Sequence, residues 1–277
     1  MIVDYHVHTP YCGHAKGKMV QYIEAAIKAG VTEIGFSDHL GRYYLSRLQR
    51  KRYWDWGMPE KDLERYFTEA MELKELFADR ITVRIGLEVD YIEGAEHLVE
   101  RITSRFPFDY LLGSIHCIPS IGWRHLSNYE KSSIGPDRIY DLYFSIARAA
   151  IQSGLFQSIA HVDFIWRYIA CPQHKQGQFT SNISEIVSLS KNTKTDIEIN
   201  ANGYLWFTAH AQEAFNPFSI LLNAISAQSA GVTIGSDAHA PEFVAKFFPE
   251  IIELLKGKNI SEVSVFNRKK KSLVKLG

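Results

Sequence analysis

The sequence predicts an α/β barrel of parallel strands whose active site lies at the carboxyl-terminal strand ends. Short apolar runs alternate with helical stripes about seven times along the chain. Residue types that bind metals follow nearly every apolar run. The chain has 277 residues, of which 46% are hydrophobic, and this suits one α/β barrel of about 250 residues. We therefore expect residues 1–277 to form a single domain.

The strands are predicted from short β-rich runs, and the helices from apolar residues spaced three and four apart. The predicted barrel strands are Ile2–His6, Glu33–Ser37, Ile81–Leu87, Tyr110–Ser114, Ser158–Ala160, Asp196–Ile199 and Val232–Gly235. The helical stripes cover 20–27, 59–77, 98–102, 139–150, 182–189 and 216–225. Asn182 and Glu185 resemble a capping box for the fifth of these helices. Val263–Phe266 is predicted to be a last, peripheral strand.

Charge gives no indication of a nucleic-acid or membrane partner. Lysine plus arginine and aspartate plus glutamate both number 31, so the formal net charge is zero. The one basic run, Arg268–Lys271, is interpreted as a solvated terminal face. The expected partner is a small molecule, and the oligomeric state stays open.

Cysteine usage and the N-terminal sequence predict a cytoplasmic protein. The three cysteines, Cys12, Cys117 and Cys171, are odd in number and no two have CxxC spacing. This argues against a disulfide framework and favours small buried fillers in a reducing compartment. The N-terminus has no basic segment typical of a signal peptide, and no apolar run reaches the ~20 residues of a membrane span.

Nine histidine and carboxylate residues follow the predicted strands. They are His6, His8, His14, His39, Glu88, His116, His161, Asp237 and His239. Histidine and carboxylate side chains are usual ligands of zinc, manganese and iron. In an open sheet, residues from both outer strands could hardly meet at one point. In a closed barrel all carboxyl-terminal strand ends converge, so this distribution favours a barrel.

The spacing and the residue types indicate more than one metal ion. His6 and His8 are two residues apart on a strand and so share a face, and Asp237 and His239 repeat that spacing. Glu88 has two oxygens and can bridge two metals, which an imidazole cannot. Paired metals ~3.5–4 Å apart clamp the oxygens of a phosphoryl displacement and lower the pKa of water towards ~7. We predict catalytic roles for Asp237 and His239 as well.

Other interpretations of these residues explain fewer of the motifs. A single His-x-His pair is weak evidence, and a purely structural metal site would be closed and rich in cysteine. The remaining histidines fit no motif and are expected in helices or loops; they are His97, His125, His174 and His210. His125 could line the mouth. Asp4 and Asp38 flank predicted ligands, and we expect their carboxylates to orient metal-bound imidazoles.

The motifs, in their order, resemble the PHP (polymerase and histidinol phosphatase) superfamily, and within it the histidinol-phosphatase branch. They are Asp-x-His-x-His from Asp4, Ser37-Asp38-His39, Gly86-Leu87-Glu88-Val89, Gly113-Ser114-Ile115-His116, Ala160-His161-Val162-Asp163 and Gly235-Ser236-Asp237-Ala238-His239. The resemblance implies a distorted (β/α)7 barrel with three divalent metal ions of zinc, manganese or iron. It also implies three ligand sets, which are His6, His8, Glu88 and Asp237; His14, His39 and His239; and Glu88, His116 and His161.

The resemblance further implies a substrate-binding role for Arg167 on the substrate phosphate, since a guanidinium is a fixed bidentate donor. Some relatives carry a second arginine after strand six, where this chain reads Glu198–Gly203 without one. The leading hypothesis is a phosphomonoesterase that hydrolyses L-histidinol phosphate in histidine biosynthesis. Alternatives are a PHP enzyme for a nucleotide, sugar phosphate or phosphotyrosine, an amidohydrolase-type barrel, and a non-enzymatic metal-binding regulator. The segment Arg42–Trp56 is a candidate rim for substrate recognition.

Overall fold

The computed structural model describes residues 1–46, 57–122, 124–210 and 215–277. Its main sheet has seven parallel strands in the order β1-β2-β3-β4-β7-β8-β9. These strands are β1 Val3–Val7, β2 Glu33–Phe36, β3 Thr82–Asp90, β4 Tyr110–Ser114, β7 Ser158–Ile159, β8 Asp196–Asn200 and β9 Val232–Gly235. Each lies within about three residues of its predicted position.

The sheet curls so that its first and last strands meet at the carboxyl end. The His8 amide donates to the Ala238 carbonyl at 2.9 Å, and the Ala238 amide donates to the His6 carbonyl at 3.3 Å. Val7 and Ala238 form a parallel bridge at the same place. The predicted α/β fold class, a distorted (β/α)7 barrel, is confirmed, and its closure brings β1 beside the end of β9.

A buried tyrosine fills the barrel beneath the mouth. The Tyr110 hydroxyl donates to the Tyr5 carbonyl at 2.9 Å and to the Phe36 carbonyl at 3.0 Å. A side chain on Gly35 or Gly86 would collide with this ring, because a Cβ on Gly86 would lie 2.6 Å from it and one on Gly35 2.4 Å from its hydroxyl. The glycines of β2 and β3 therefore make room for the floor on which the mouth is built.

The helices cover the outside of the sheet. They are α1 Met19–Lys28, α2 Leu63–Leu76, α3 Glu96–Thr103, α4 Pro136–Gln152, α5 Gln176–Thr193, α6 Ala201–Ala209, α7 Pro217–Gln228 and α8 Phe248–Gly257. Pro136 and Pro217 occupy the first turns of α4 and α7, where a missing N–H costs nothing. Asn216 caps α7 by accepting from the Ser219 amide at 3.2 Å. No helix within the described ranges is long and apolar enough to cross a membrane.

Two hairpins are added to the barrel. The short strands β5 Cys117–Ile118 and β6 Arg124–His125 pair antiparallel and carry His125 towards the mouth. At the chain end, β10 Glu262–Asn267 pairs antiparallel with β11 Lys270–Lys275. The basic run thus lies in a turn and strand that are mostly exposed, in agreement with the predicted solvated face, although the second strand was not foreseen.

Candidate metal centre

The nine predicted ligand residues meet in one cluster at the carboxyl end of the barrel. Glu88 lies at its middle, because β3 continues past Gly86 to Asp90 and positions two apart on a strand share a face. Its Oε2 atom lies 3.2 Å from His6 Nε2, 3.4 Å from His8 Nε2 and 2.9 Å from His39 Nδ1. One carboxylate oxygen therefore faces three imidazoles.

The second Glu88 oxygen faces two further imidazoles. Oε1 lies 3.4 Å from His116 Nε2 and 3.1 Å from His161 Nε2. These histidines follow β4, which lies beside β3, and β7, which is the next strand in the sheet order. The two sides of one fully buried carboxylate thus address different groups of nitrogens, as a bridging ligand requires.

Asp237 closes the cluster from the β9 side. Its Oδ1 lies 3.2 Å from His8 Nε2 and 3.6 Å from His6 Nε2. Asp237 has φ +55°, a left-handed backbone conformation that is costly for this residue type and is found preferentially at functional sites. Asn202 donates to Asp237 Oδ2 at 3.0 Å. The carboxylate is therefore held between the imidazoles and the first turn of α6.

His14 and His239 form the outer, more exposed edge. Their Nε2 atoms are 2.9 Å apart, and ligand nitrogens of His8, His39 and His239 lie within 4.8 Å of one another. The Cys12 thiol lies within the same distance of the His14 and His239 nitrogens. Burial raises the pKa of this thiol to about 12, so it is a neutral neighbour of the site, consistent with a small filler.

Glu198 was not predicted from the sequence and holds the centre from behind. Its Oε1 lies 2.6 Å from His6 Nδ1, while Oε2 accepts from the His161 amide at 2.8 Å. A Cβ on Gly235 would lie 2.2 Å from Glu198 Oε1, so glycine there leaves room for this carboxylate. A carboxylate on the far nitrogen of an imidazole fixes its tautomer and raises its basicity as a ligand.

Asp90 plays the same part for His116 and was also missed. Its Oδ1 lies 3.0 Å from His116 Nδ1 and accepts the His116 amide at 3.1 Å. The buried Arg42 guanidinium pairs with the other Asp90 oxygen. Two sequence signals were available. Glu198 is a charged residue between two isoleucines of β8, and Asp90 shares the strand face of Glu88.

The expected roles of Asp4 and Asp38 are wrong in detail. The Asp4 carboxylate accepts backbone N–H groups of His6 and Ser236, and Asp38 accepts the amide and hydroxyl of Thr9. Both are completely buried, and neither accepts a hydrogen bond from an imidazole, although a carboxylate oxygen of Asp38 lies within 4.8 Å of a His8 nitrogen. They fix the backbone that carries the ligands, and the rings are oriented by Glu198 and Asp90.

Arg167 lies at the edge of the cluster. Its Nη2 donates to Asn200 Oδ1 at 3.0 Å, and its Nη1 is 3.9 Å from Asp237 Oδ2. The guanidinium also lies 5.3 Å from the centre of the Phe164 ring, and only 7% of the side chain is exposed. Arg167 is thus placed beside a predicted metal ligand and is tied into the wall.

Two of the imidazoles have raised pKa values. Burial opposes their charged form, but nearby carboxylates outweigh it, with Glu198 the largest contributor at His6 and Asp90 at His116. The pKa of Glu88 is held well below its usual range because the surrounding imidazoles outweigh its burial.

The pKa values of two other buried imidazoles, His8 and His39, are lowered. Burial lowers the pKa of His39 to about 4, and burial with neighbouring imidazoles lowers that of His8 well below its usual value. At neutral pH these two rings are therefore uncharged and suited to bind a cation.

The residues present fit divalent metal ions. His8 is completely buried, yet within the described chain neither ring nitrogen has a hydrogen-bond partner. A buried polar atom without a partner costs about 1–3 kcal/mol, which a metal–nitrogen bond removes. The ligand atoms of His6, Glu88 and His161 lie within 4.8 Å of one another, as do those of His6, His8 and Asp237. Histidine nitrogen with carboxylate oxygen suits zinc, manganese and iron.

The histidines outside the motifs are placed largely as expected. His125 stacks on His116 with ring centres 5.9 Å apart and so lines the mouth. His97 lies in α3, His174 pairs with Asp137 in the exposed layer, and His210 follows α6. Of the candidate rim Arg42–Trp56, residues 47–56 lie outside the described residues, and Arg42 is the buried partner of Asp90.

Comparison with known proteins agrees with this geometry. The chain is similar to a probable histidinol-phosphatase of Deinococcus radiodurans, with 29% identity over 274 residues that cover 97% of this chain and 98% of the relative. It is also similar to a histidinol-phosphatase of Bacillus subtilis, with 24% identity over 90% of this chain and 98% of the relative.

Among solved structures, it is similar to the histidinol phosphate phosphatase of Lactococcus lactis in complex with zinc, L-histidinol and phosphate. That match has a TM-score of 0.80 with 22% identity, and it covers 98% of both chains. The model of the PHP domain family matches residues 4–202, which include seven of the nine clustered residues. The chain therefore belongs to the PHP domain family.

Proposed function

We propose that this protein is a metal-dependent phosphomonoesterase that hydrolyses L-histidinol phosphate to L-histidinol and phosphate in histidine biosynthesis. The observation that carries the proposal is the Glu88 carboxylate, whose two oxygens face five imidazoles within 3.4 Å. Such a centre suits a bridging role and phosphoryl chemistry. The substrate is proposed from the relatives named histidinol-phosphatase.

The proposed centre holds three divalent ions, of zinc, manganese or iron. One set of ligands is His6, His8, Glu88 and Asp237, a second is His14, His39 and His239, and a third is Glu88, His116 and His161. When bound, such ions lower the pKa of water and stabilise negative charge on phosphoryl oxygens. The donor distances given above support the three sets.

The chain's own residues would bind and orient the phosphate ester. His6, His8 and Glu88 are fully buried, whereas the His239 side chain is 30% exposed and Asp237 lies beside it. The substrate therefore reaches the centre across Asp237 and His239, to which we assign the catalytic contacts. Arg167 would bind the phosphate at this edge, while Asn200 orients its guanidinium.

We also propose that residues 1–277 form one barrel domain. A cytoplasmic location is proposed from the three cysteines, all of which are free and buried in the structure. The expected absence of nucleic-acid and membrane partners stays a prediction.

The direct test is phosphate release from L-histidinol phosphate by metal-loaded protein, against nucleotides, sugar phosphates and phosphotyrosine. We expect kcat/KM for L-histidinol phosphate to exceed that of each competitor by orders of magnitude. Arg167→Ala should raise KM for phosphate esters, with Arg148→Ala, which removes an arginine of α4, as the matched control. Better turnover of another ester would place the enzyme elsewhere in the family, and no turnover of any ester would contradict the phosphatase proposal.

A further inference from the structure

A cavity of about 340 Å³ lies beside the proposed centre. Asp237 and His239 form its inner wall, and Leu205, Phe243 and Phe247 form the outer, apolar wall. Its size is at the lower end of the ~300–1,000 Å³ range of small-molecule sites. The cavity is therefore one place from which a ligand can contact Asp237 or His239.

Lys246 brings a permanent positive charge to the wall of this cavity. Its ammonium group lies 4.8 Å from the ring centre of Phe243 and 5.1 Å from that of Phe247. These distances are within the range of cation–π attraction, which holds the charge against the apolar wall. Within the chain segments that the structure describes, Lys246 forms no ion pair with a carboxylate. Its charge is therefore not neutralised by the protein.

The backbone around Lys246 is strained on both sides. Ala245 has φ +54° and Phe247 has φ +64°, and such conformations cost on the order of 1–3 kcal/mol each. The Ala245 amide donates to the buried Asp4 at 3.1 Å, and the same carboxylate accepts the Ser236 amide at 2.9 Å. Asp4 thus fixes the Lys246 segment to β1 and to the end of β9. Strain that is held in place in this way is typical of functional positions.

Among the described residues, Arg167 is a second cation beside Asp237, and it is already engaged. Arg167 donates to Asn200 and lies 3.9 Å from Asp237 Oδ2, and it is not among the described residues that line the cavity. A phosphate dianion at Asp237 needs positive charge around it, and a lysine supplies a point charge with three donors.

We propose that Lys246 binds the phosphate group of the substrate, and of the inorganic phosphate product, from the cavity beside Asp237 and His239. This inference rests on the proposed phosphomonoesterase function and deepens it. The ammonium group would leave its position over the two rings and donate to a non-reacting phosphoryl oxygen.

The test compares Lys246→Met with the charge-retaining Lys246→Arg and with Lys256→Met, an exposed lysine of α8, as control. Metal-loaded proteins are assayed with p-nitrophenyl phosphate, with inorganic phosphate as a competitive inhibitor. In Lys246→Met we expect the phosphate Ki and the ester KM to rise about tenfold, with kcat changed less than about twofold. For Lys246→Arg, the phosphate Ki and the ester KM should stay within about threefold of the wild-type values. For Lys256→Met, both should equal the wild-type values.

An unchanged phosphate Ki in Lys246→Met would overturn the proposal, and so would an equal rise in Lys246→Arg or Lys256→Met. A wrong substrate assignment can be distinguished from a wrong role of Lys246. If wild type hydrolyses p-nitrophenyl phosphate but not L-histidinol phosphate, the phosphate Ki still decides the role of Lys246. If it hydrolyses neither ester, calorimetric titration of the metal-loaded variants with inorganic phosphate makes the same comparison.

Discussion

The two oxygens of Glu88 face two halves of the centre that are supported differently. On the Oε2 side, His6 is backed by Glu198, whose other contacts are neutral donors, the His161 amide and the Asn200 side chain. On the Oε1 side, His116 is backed by Asp90, which is itself paired with the buried cation Arg42. One half thus has a carboxylate whose negative charge is opposed only by hydrogen bonds. The other has a carboxylate neutralised by arginine.

Because of this difference, the barrel sets the charge around His6 and the charge around His116 separately. Glu198 leaves more negative charge on the His6 side and so favours a cation there. The Arg42–Asp90 pair withdraws charge from His116 but holds its ring rigidly, because both Asp90 oxygens have charged or N–H partners. We therefore expect loss of Glu198 to weaken metal binding more than loss of Asp90 does. Loss of Asp90 should lower the free energy of unfolding more than loss of Glu198 does.

Glu88→Gln should have the largest effect, because it removes the carboxylate shared by both halves. We expect kcat/KM for phosphate esters to fall at least ~10³-fold, since bridging and charge stabilisation are lost together. Metal analysis by mass spectrometry should show loss of more than one ion per chain. Full metal content in this variant would mean that Glu88 does not bridge. Glu262→Gln, an exposed glutamate of β10, is the control.

Asp90→Asn should lower the free energy of unfolding by about 3–5 kcal/mol, because it leaves the buried Arg42 charge without its carboxylate. Urea unfolding of metal-free protein measures this effect without any contribution from metal binding. The control is Asp62→Asn, which breaks an exposed pair with Arg65, 73% exposed, and should change stability by less than about 1 kcal/mol. A stability loss no larger than that of the control would contradict the role of the Arg42–Asp90 pair.

Glu198→Gln should weaken metal binding about 10–100-fold. It should lower the free energy of unfolding by less than Asp90→Asn does. The amide oxygen can still accept from the His161 N–H, so little backbone support is lost. Chelator competition gives the affinity, and urea unfolding of the same metal-free sample gives the stability. If Glu198→Gln destabilises as much as Asp90→Asn, the two halves are not supported differently.

Metal binding should release protons, one from each half. The pKa values of His6 and His116 are raised in the metal-free site, so each ring holds its second proton more tightly than a free imidazole does, and a metal must displace that proton to bind. His8 and His39 have lowered pKa values and should release none. Zinc titration at pH 7 in buffers of different ionisation enthalpy should show about one to two protons released, and affinity should fall as the pH falls.

In Glu198→Gln the number of protons released on zinc binding should drop by about one, because the largest contribution that raises the pKa of His6 is gone. A heat of binding that is independent of the buffer would contradict the raised pKa values of His6 and His116 in the metal-free protein.

The barrel and its nine clustered residues were predictable because they depend on local signals. A strand presents alternate side chains to one face, so His6 with His8, and Gly86 with Glu88, share a direction wherever the strand lies. The convergence of strand ends then follows from the alternation of strands and helices. The resemblance to a known family added the grouping into three ligand sets, which no local pattern contains.

What could not be predicted depends on the register between distant strands. Glu198 meets His6 across 192 residues of sequence, and only the closure of the barrel sets that contact. The first helical turns of α5 were missed because Asn182 and Glu185 resemble a cap, yet α5 begins at Gln176 and buries Phe179 before them. Burial of an apolar side chain overrode the capping pattern. Helix α6 was missed since its nine residues are apolar on all sides and lack a 3.6-residue period.

The central claim is that one carboxylate joins two metal-binding halves, and metal stoichiometry tests it most directly. Metal-free protein would be loaded with zinc, freed of excess ion and analysed by mass spectrometry, alongside Glu88→Gln. We predict three ions per chain in the wild type and a loss of more than one on the single substitution. A wild-type protein that retains one ion or none, or a variant that retains all three, would contradict the account.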